Sequence, residues 1–406
     1  MQMDGLVLGI DLCDTYTSIT AMEPEKNWTI KTAVCKNRQS DDWYVGEEAS
    51  VRAMAGDPYW DGLLSRVLKD EGETDGGLTG LELLKRFLKA ALCLPQKGLE
   101  NTEVSQLVIT LKRAEVKLMD SLLYCADYLG IDRSRVHIIS HTESFIYYVM
   151  SQKRDVWSNQ VGMFELSEGC TRYFELKTQR GSRKMIVIAE QEMLQEEITL
   201  EYLKRPEGAA SEDQFLAACA DRLLDKRLFS AVILTGNGFA TTDWASRFMK
   251  KVCSKRRVFA EFGLFSKGAA LRAADYLREK TSYPFVCVCE GRLQYTISMP
   301  VLSRGKNTNL VLAAAGDNWY EARSTVELIM DGEDSLEFTI SSLDQRKKRT
   351  VSVELADFPK RNNKTNRIQV TIGFSDENTM IIMVKDKGFG ELFPATRATV
   401  KQEVIL

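Results

Sequence analysis

Three turns carry the residue types that phosphate chemistry uses. Gly9-Ile-Asp-Leu-Cys-Asp-Thr-Tyr-Thr-Ser18, Phe164-Glu-Leu-Ser-Glu-Gly-Cys170 and Leu234-Thr-Gly-Asn-Gly238 each follow or close an apolar run. Glycines that reach φ > 0 let successive backbone N–H groups face an anion. Taken singly, a glycine turn after a strand is ordinary turn chemistry. Other chemistry is sparsely supplied. His137 and His141 are the only histidines; they are four apart, but a predicted strand ending at Ile139 separates them, so their side chains need not converge on a metal. With no other histidine in the chain, a Ser/His/Asp or Cys/His hydrolase is disfavoured. The nine cysteines are scattered and form no C-x-x-C pair, which reads as buried thiols in a reducing compartment. Arg247, Lys250, Lys251, Lys255, Arg256 and Arg257 make a dense basic segment, either a solvated helix face or a patch for an acidic partner or nucleic acid. The run from Arg346 to Arg349 reads as a charged loop or sheet edge.

The elements that must position these turns alternate along the first part of the chain. Leu6–Asp11, Leu107–Thr110, Val136–Ile139 and Val161–Leu166 are compact apolar strand candidates. Ala231–Leu234 is a continuous apolar run of the kind a parallel strand buried on both faces shows. Helical stripes occur at Leu81, Leu84, Leu88 and Leu92 and from Glu115 to a stop at Gly130. Glutamates between Glu190 and Glu201 predict an acidic solvated helix over 190–203. After Tyr283-Pro284 helical periods nearly vanish, and eight short alternating runs between Phe285 and Lys385 predict an all-β domain. The expected division is therefore 1–283, in two lobes of about 1–160 and 161–283, and 284–406.

Length and composition agree with folded domains: 406 residues, 44% hydrophobic, 54 basic against 57 acidic side chains and a formal net charge of −3. The balance argues against a whole surface built to neutralise nucleic-acid phosphates. No apolar stretch approaches the roughly 18–20 residues of a membrane helix, and the start lacks a secretory signal, so a cytoplasmic protein without a membrane partner is expected.

The order and spacing of the three turns resemble the first phosphate loop, second phosphate loop and adenosine loop of the actin-like ATPase superfamily, most closely the seventy-kilodalton heat-shock chaperones. Tyr44-Val-Gly-Glu-Glu-Ala49 looks like the family's V-G-x-x-A turn, and Phe265-Ser-Lys-Gly-Ala-Ala-Leu-Arg-Ala-Ala274 like its G-A-A-x-x-A-A helix. Ile368 to Asn378, followed by Ile381 to Lys387, looks like the chaperone's peptide-binding sandwich. The resemblance spans about the whole chain and ends where the family's helical lid would begin. It implies a two-lobed α/β actin-like (ribonuclease-H-like) nucleotide-binding-type domain that clamps ATP or ADP with Mg²⁺, followed by a β-sandwich that grips extended peptide segments.

By that resemblance Asp11, Arg66 and Glu165 would be the catalytic set, with Asp11 and Glu165 acting on Mg²⁺ indirectly. Cys13, Asp14, Thr15, Ser167, Glu168, Gly169, Gly236, Asn237 and Gly238 would line the nucleotide. Several types depart from the family's G-I-D-L-G-T-T and D-L-G-G-G-T: its glycine is Cys13, a threonine is Asp14, and Ser167 and Glu168 replace glycines. Its essential lysine has Ser65 and Arg66 in its place, and its connecting-segment glutamate is His141. A carboxylate about 4 Å from a phosphate oxygen costs on the order of 4 kcal/mol at an effective dielectric of 20. The expected protein is thus a divergent chaperone-like binder of extended peptide or partner segments whose ATP site is weakened or lost. A working ATP-driven chaperone and a non-enzymatic interaction scaffold are the alternatives.

Overall fold

A computed structural model of the chain describes residues 5–22, 25–69, 77–96, 103–181, 184–332, 334–343 and 347–406. It divides into two compact units, residues 1–178 with 187–284, and 285–406 with 179–186.

The first unit opens with strands β1 (Leu6–Leu12), β2 (Tyr16–Met22), β3 (Glu25–Lys31), β4 (Val34–Lys36) and β5 (Trp43–Val45). Helix α1 (Gly46–Met54), strand β6 (Tyr59–Trp60) and helices α2 (Leu63–Lys69) and α3 (Gly80–Gln96) follow. Strand β7 (Val104–Leu111), helix α4 (Val116–Tyr128), strand β8 (Val136–Ser140) and helix α5 (His141–Ser151) complete the first lobe. Its main sheet runs β3-β2-β1-β7-β8. β1, β2 and β3 pair antiparallel; β1, β7 and β8 pair parallel.

The second lobe contains β9 (Gln160–Ser167), β10 (Cys170–Arg180), β11 (Met185–Glu196), α6 (Leu200–Leu203), α7 (Pro206–Leu224), β12 (Phe229–Thr235), α8 (Ser246–Val252) and β13 (Arg257–Ala260). Five consecutive strands of its sheet run β11-β10-β9-β12-β13. β9 pairs antiparallel with β10 and parallel with β12, which pairs parallel with β13. The two lobes therefore repeat one layout, with an antiparallel hairpin on one side of the central strand and parallel strands on the other. This is the duplicated α/β arrangement that an actin-like resemblance implies.

Strands β1 and β12, each paired on both sides, are almost wholly buried, as their apolar runs require. Helix α9 (Leu264–Tyr276) lies directly over β1. A Cβ on Gly9 would stand 2.1 Å from the Ala270 nitrogen, and one on Gly268 would stand 2.1 Å from the Ser144 carbonyl oxygen. The small residues of α9 thus admit β1 and α5 at backbone contact, which fixes the start of α5 and with it His141.

One expected element differs. Residues 190–203 are not a helix: Glu190 to Glu196 belong to β11, and only Leu200–Leu203 are helical. The glutamates suit a solvated helix face, but pairing within the long β10–β11 hairpin outweighs that local preference.

The second unit holds β14 (Phe285–Val288), β15 (Tyr295–Ser303), β16 (Lys306–Ala313), β17 (Ser324–Ile329), β18 (Ser335–Ser342), β19 (Lys348–Glu354), β20 (Arg367–Asp376), β21 (Thr379–Asp386) and β22 (Thr399–Ile405). Two four-stranded sheets run β16-β15-β18-β19 and β17-β20-β21-β22. Alternating burial along β18, β20 and β21 gives one buried face per sheet, consistent with a β-sandwich. Arg361 locks this unit through a bidentate pair to Asp386, both bonds at 2.9 Å, while Gly388 and Thr396 also donate to that carboxylate. Of the basic run expected at an edge, Lys348 and Arg349 lie on the end strand β19; Arg346 lies outside the described residues. No helix among the described residues is long and apolar enough to cross a membrane.

Candidate functional site

Where the two lobes of the first unit meet, four side chains form one hydrogen-bonded chain. Asp11, near the end of β1, accepts at Oδ1 from His141 Nε2 over 2.8 Å. His141 opens α5 immediately after Ser140, whose hydroxyl caps the helix by accepting from the Glu143 N–H. Its Nδ1 lies 2.6 Å from Arg172 Nη2 on β10 of the other lobe. Arg172 Nε in turn donates to Glu165 Oε2 at 2.7 Å, and Nη2 stands 2.6 Å from the same oxygen.

An arginine can only donate, so Nδ1 of His141 is the acceptor and Nε2 carries the hydrogen given to Asp11. The guanidinium thereby sets the tautomer. Arg172 is 2% exposed, and its Nη1 donates to Gln191 Oε1 at 3.1 Å. Its plane is also flanked by the rings of Phe174 and Phe265, and Phe265 stacks on the His141 imidazole at 4.0 Å. Burial alone lowers the basicity of such a group; the Glu165 carboxylate outweighs it and holds Arg172 above the ordinary arginine value. A buried cation is tolerable here because its hydrogen bonds are made and a carboxylate faces it.

The expected site residues do not all converge. Asp11, Cys13, Glu165 and Ser167 meet at this chain: the half-buried Cys13 thiol lies 3.5 Å from Asp11 Oδ1, and Ser167 donates to Glu165 Oε1 at 3.1 Å. Desolvation first, then the charges of Asp11 and Glu165, push the Cys13 thiol well above its usual range, so it stays protonated. Asp14 turns away. Its carboxylate accepts the backbone N–H groups of Leu64 and Ser65 at 2.7 and 3.2 Å, and the Ser65 hydroxyl, where α2 begins. Glu168 likewise accepts from the Leu200 N–H at 2.9 Å.

Arg66 stands on α2 with its Nε donating to the Asp61 carbonyl at 2.8 Å. Thr15 is exposed, and its carbonyl accepts from the Thr32 N–H. Gly169, at φ 79°, makes the two-residue turn between β9 and β10, and its N–H is bonded to the Ile198 carbonyl. Gly236, at φ 90°, leads into a single 3-10 turn, Asn237–Phe239, on which Asn237 is exposed. Cβ atoms on Gly236 and Gly238 would lie 2.3 Å from the Leu166 carbonyl oxygen and the Leu166 Cγ respectively.

The residues present do not fit Mg²⁺ with a triphosphate. Asp11 and Glu165 already receive His141, Cys13, Arg172 and Ser167. The second-loop amide of Gly169 is satisfied within the protein, and Leu166 fills the space beside Gly236 and Gly238. Ligand-type atoms of Asp11, Cys13 and His141 lie within 4.8 Å of one another. Both imidazole nitrogens are engaged, however, and the thiol is protonated, so this trio is not a ready metal centre either. His137 is elsewhere, stacked on Tyr276 at 3.8 Å.

Arg172 and Gln191 escaped the sequence reading. A signal for the arginine exists: a two-residue turn at Glu168-Gly169 places Arg172 directly opposite Glu165, on the inward face shared with Cys170, Phe174 and Leu176. A charge on that face demands a buried partner.

No curated protein matches the chain in sequence. Among solved structures it is similar to a non-polymerising MamK mutant bound to AMPPNP, at 14% identity and a TM-score of 0.43, and to a MamK double helical filament, at 12% and 0.42. Each comparison covers 67% of this chain and 99% of the MamK chain. Residues 292–406 match a domain of unknown function, DUF8552. Residues 15–290 match the C-terminal model of the family of unknown function DUF5716, and the chain belongs to that family.

Proposed function

We propose that this protein is a non-hydrolysing actin-like interaction module, in which a chain of side chains holds the two lobes where related ATPases would place Mg²⁺ and nucleotide. The observation that carries the reading is the buried guanidinium of Arg172, which bonds Glu165 on its own lobe and His141 on the other. The heat-shock-chaperone resemblance adds the class of partner, extended segments of other proteins, and the nine free cysteines suit a reducing cytoplasm. Within the second unit, capture of an extended apolar segment is favoured by the end strand β16, where Val311 is exposed.

Calorimetric titration of the full chain with Mg·ATP, paired with thermal unfolding, tests the central point. A ligand at 100 times its Kd stabilises the folded state by about 2.7 kcal/mol. At ~1 mM Mg·ATP we expect neither heat nor a shifted midpoint. Micromolar binding with measurable turnover overturns the reading.

A further inference from the structure

We infer that the open edge of β13 is a docking site for an extended, acidic segment of a partner protein. The inference uses none of the residues of the interlobe chain and stands whether or not nucleotide binds.

Among the described residues β13 ends its sheet, pairing on one side only, with β12. The Glu261 N–H donates inward to the Leu234 carbonyl at 2.9 Å. Backbone groups alternate sides along a strand, so Arg257 and Phe259 also face β12, whereas the N–H and C=O of Val258 and Ala260 face outward. Residues that guard an edge against pairing are charged and polar. Here Arg257 is charged and lies over the Phe259 ring at 5.9 Å, but Phe259 and Phe262 are still 40% and 50% exposed, which leaves apolar surface beside the outward backbone donors and acceptors.

Cations predominate around this edge, because the nearby carboxylates of Asp155 and Glu261 are each paired, with Arg257 and Lys267. Arg247, Lys250 and Lys255 are exposed and carry no carboxylate partner among the described residues. Arg256 donates to the carbonyls of Lys251 and Leu224, and Arg257 pairs with Asp155 at 2.9 Å on the surface, where such pairs add little. Lys255, Arg256 and Arg257, with Asp155 as the one acid, also line an open depression of about 490 Å³ beside the strand. An added strand fits these features: its backbone completes the ladder, its acidic side chains meet the cations, and its apolar ones reach the phenyl rings. Single-stranded nucleic acid would use the charges and rings but not the outward backbone groups.

Fluorescence anisotropy on the full chain separates these. The probes are a labelled peptide of six Glu-Val repeats and a labelled oligothymidylate of twelve nucleotides. We expect salt-sensitive peptide binding that weakens about tenfold in Ala260→Pro, which removes an outward N–H, and about tenfold in the pair Lys250→Glu with Lys255→Glu. Should Ala260→Pro not fold, the same peptide N-methylated at alternate amides tests the ladder from the ligand side, again with about a tenfold loss expected. No peptide binding, binding indifferent to both ladder changes, or tighter binding of the oligonucleotide would each overturn the inference.

Discussion

Arg172 Nη2 lies 2.6 Å from His141 Nδ1, so a side chain of the second lobe fixes which nitrogen of an imidazole in the first lobe carries hydrogen. The same guanidinium is bonded to Glu165. Removing it strands a buried carboxylate and an imidazole acceptor together. Arg172→Met is expected to cost about 3–5 kcal/mol in urea denaturation, in the range for breaking a buried ion pair. Adding Glu165→Met should recover more than 1 kcal/mol, because a pair replaced by apolar side chains leaves no orphan charge. Strict additivity of the two losses would contradict a coupled pair.

Glu212 on α7 is 4% exposed, and its Oε1 makes no hydrogen bond among the described residues. Desolvation pushes its carboxyl up to about 7 from an ordinary 4.5. The native fold then holds the proton more tightly than the unfolded chain does. Stability contributed by the neutral form is full below pH 4.5 and is lost as pH rises through 7, by about 3 kcal/mol. Glu212→Gln should therefore be nearly neutral at pH 4 and stabilising by about 3 kcal/mol at pH 8, measured by unfolding at both values.

In the second unit the sign reverses. Burial would raise the Asp386 carboxyl, but Arg361, Gly388 and Thr396 together outweigh it and hold it at about 2. A depressed carboxyl contributes stability above its unfolded value of 3.8, and that contribution fades as pH falls through 2. It amounts to about 2 kcal/mol at neutral pH. Asp386→Asn should lose at least this at pH 7 and show a flatter acid limb below pH 4. An unchanged acid limb would show that the carboxylate is not the group titrating there.

Elements that announce themselves by burial were legible in the sequence, and contacts between distant segments were not. β1 and β12 are continuous apolar runs because both faces are covered, and the eight alternating runs after Pro284 all fall on strands. The ninth strand, β22, went unread, since Lys401, Gln402 and Glu403 blur its alternation. The site is harder for a physical reason. Asp14 looks like an obstacle to phosphate until the fold brings Leu64 and Ser65, fifty residues on, to its carboxylate. Nothing local to Cys13-Asp14-Thr15 indicates that direction. Asp11 and Glu165 stood out by position at strand ends, whereas Gln191 lies in the segment read as helix, which hid its inward face.

Gly236 and Gly238 owe their identity to Leu166, because any side chain at either place would collide with the neighbouring hairpin. Their pattern is therefore a mould of the adjoining strand, independent of whether anything is cradled above it. Packing alone accounts for a glycine signature of this kind, so Gly-x-Gly after a strand is not by itself the mark of a nucleotide cradle.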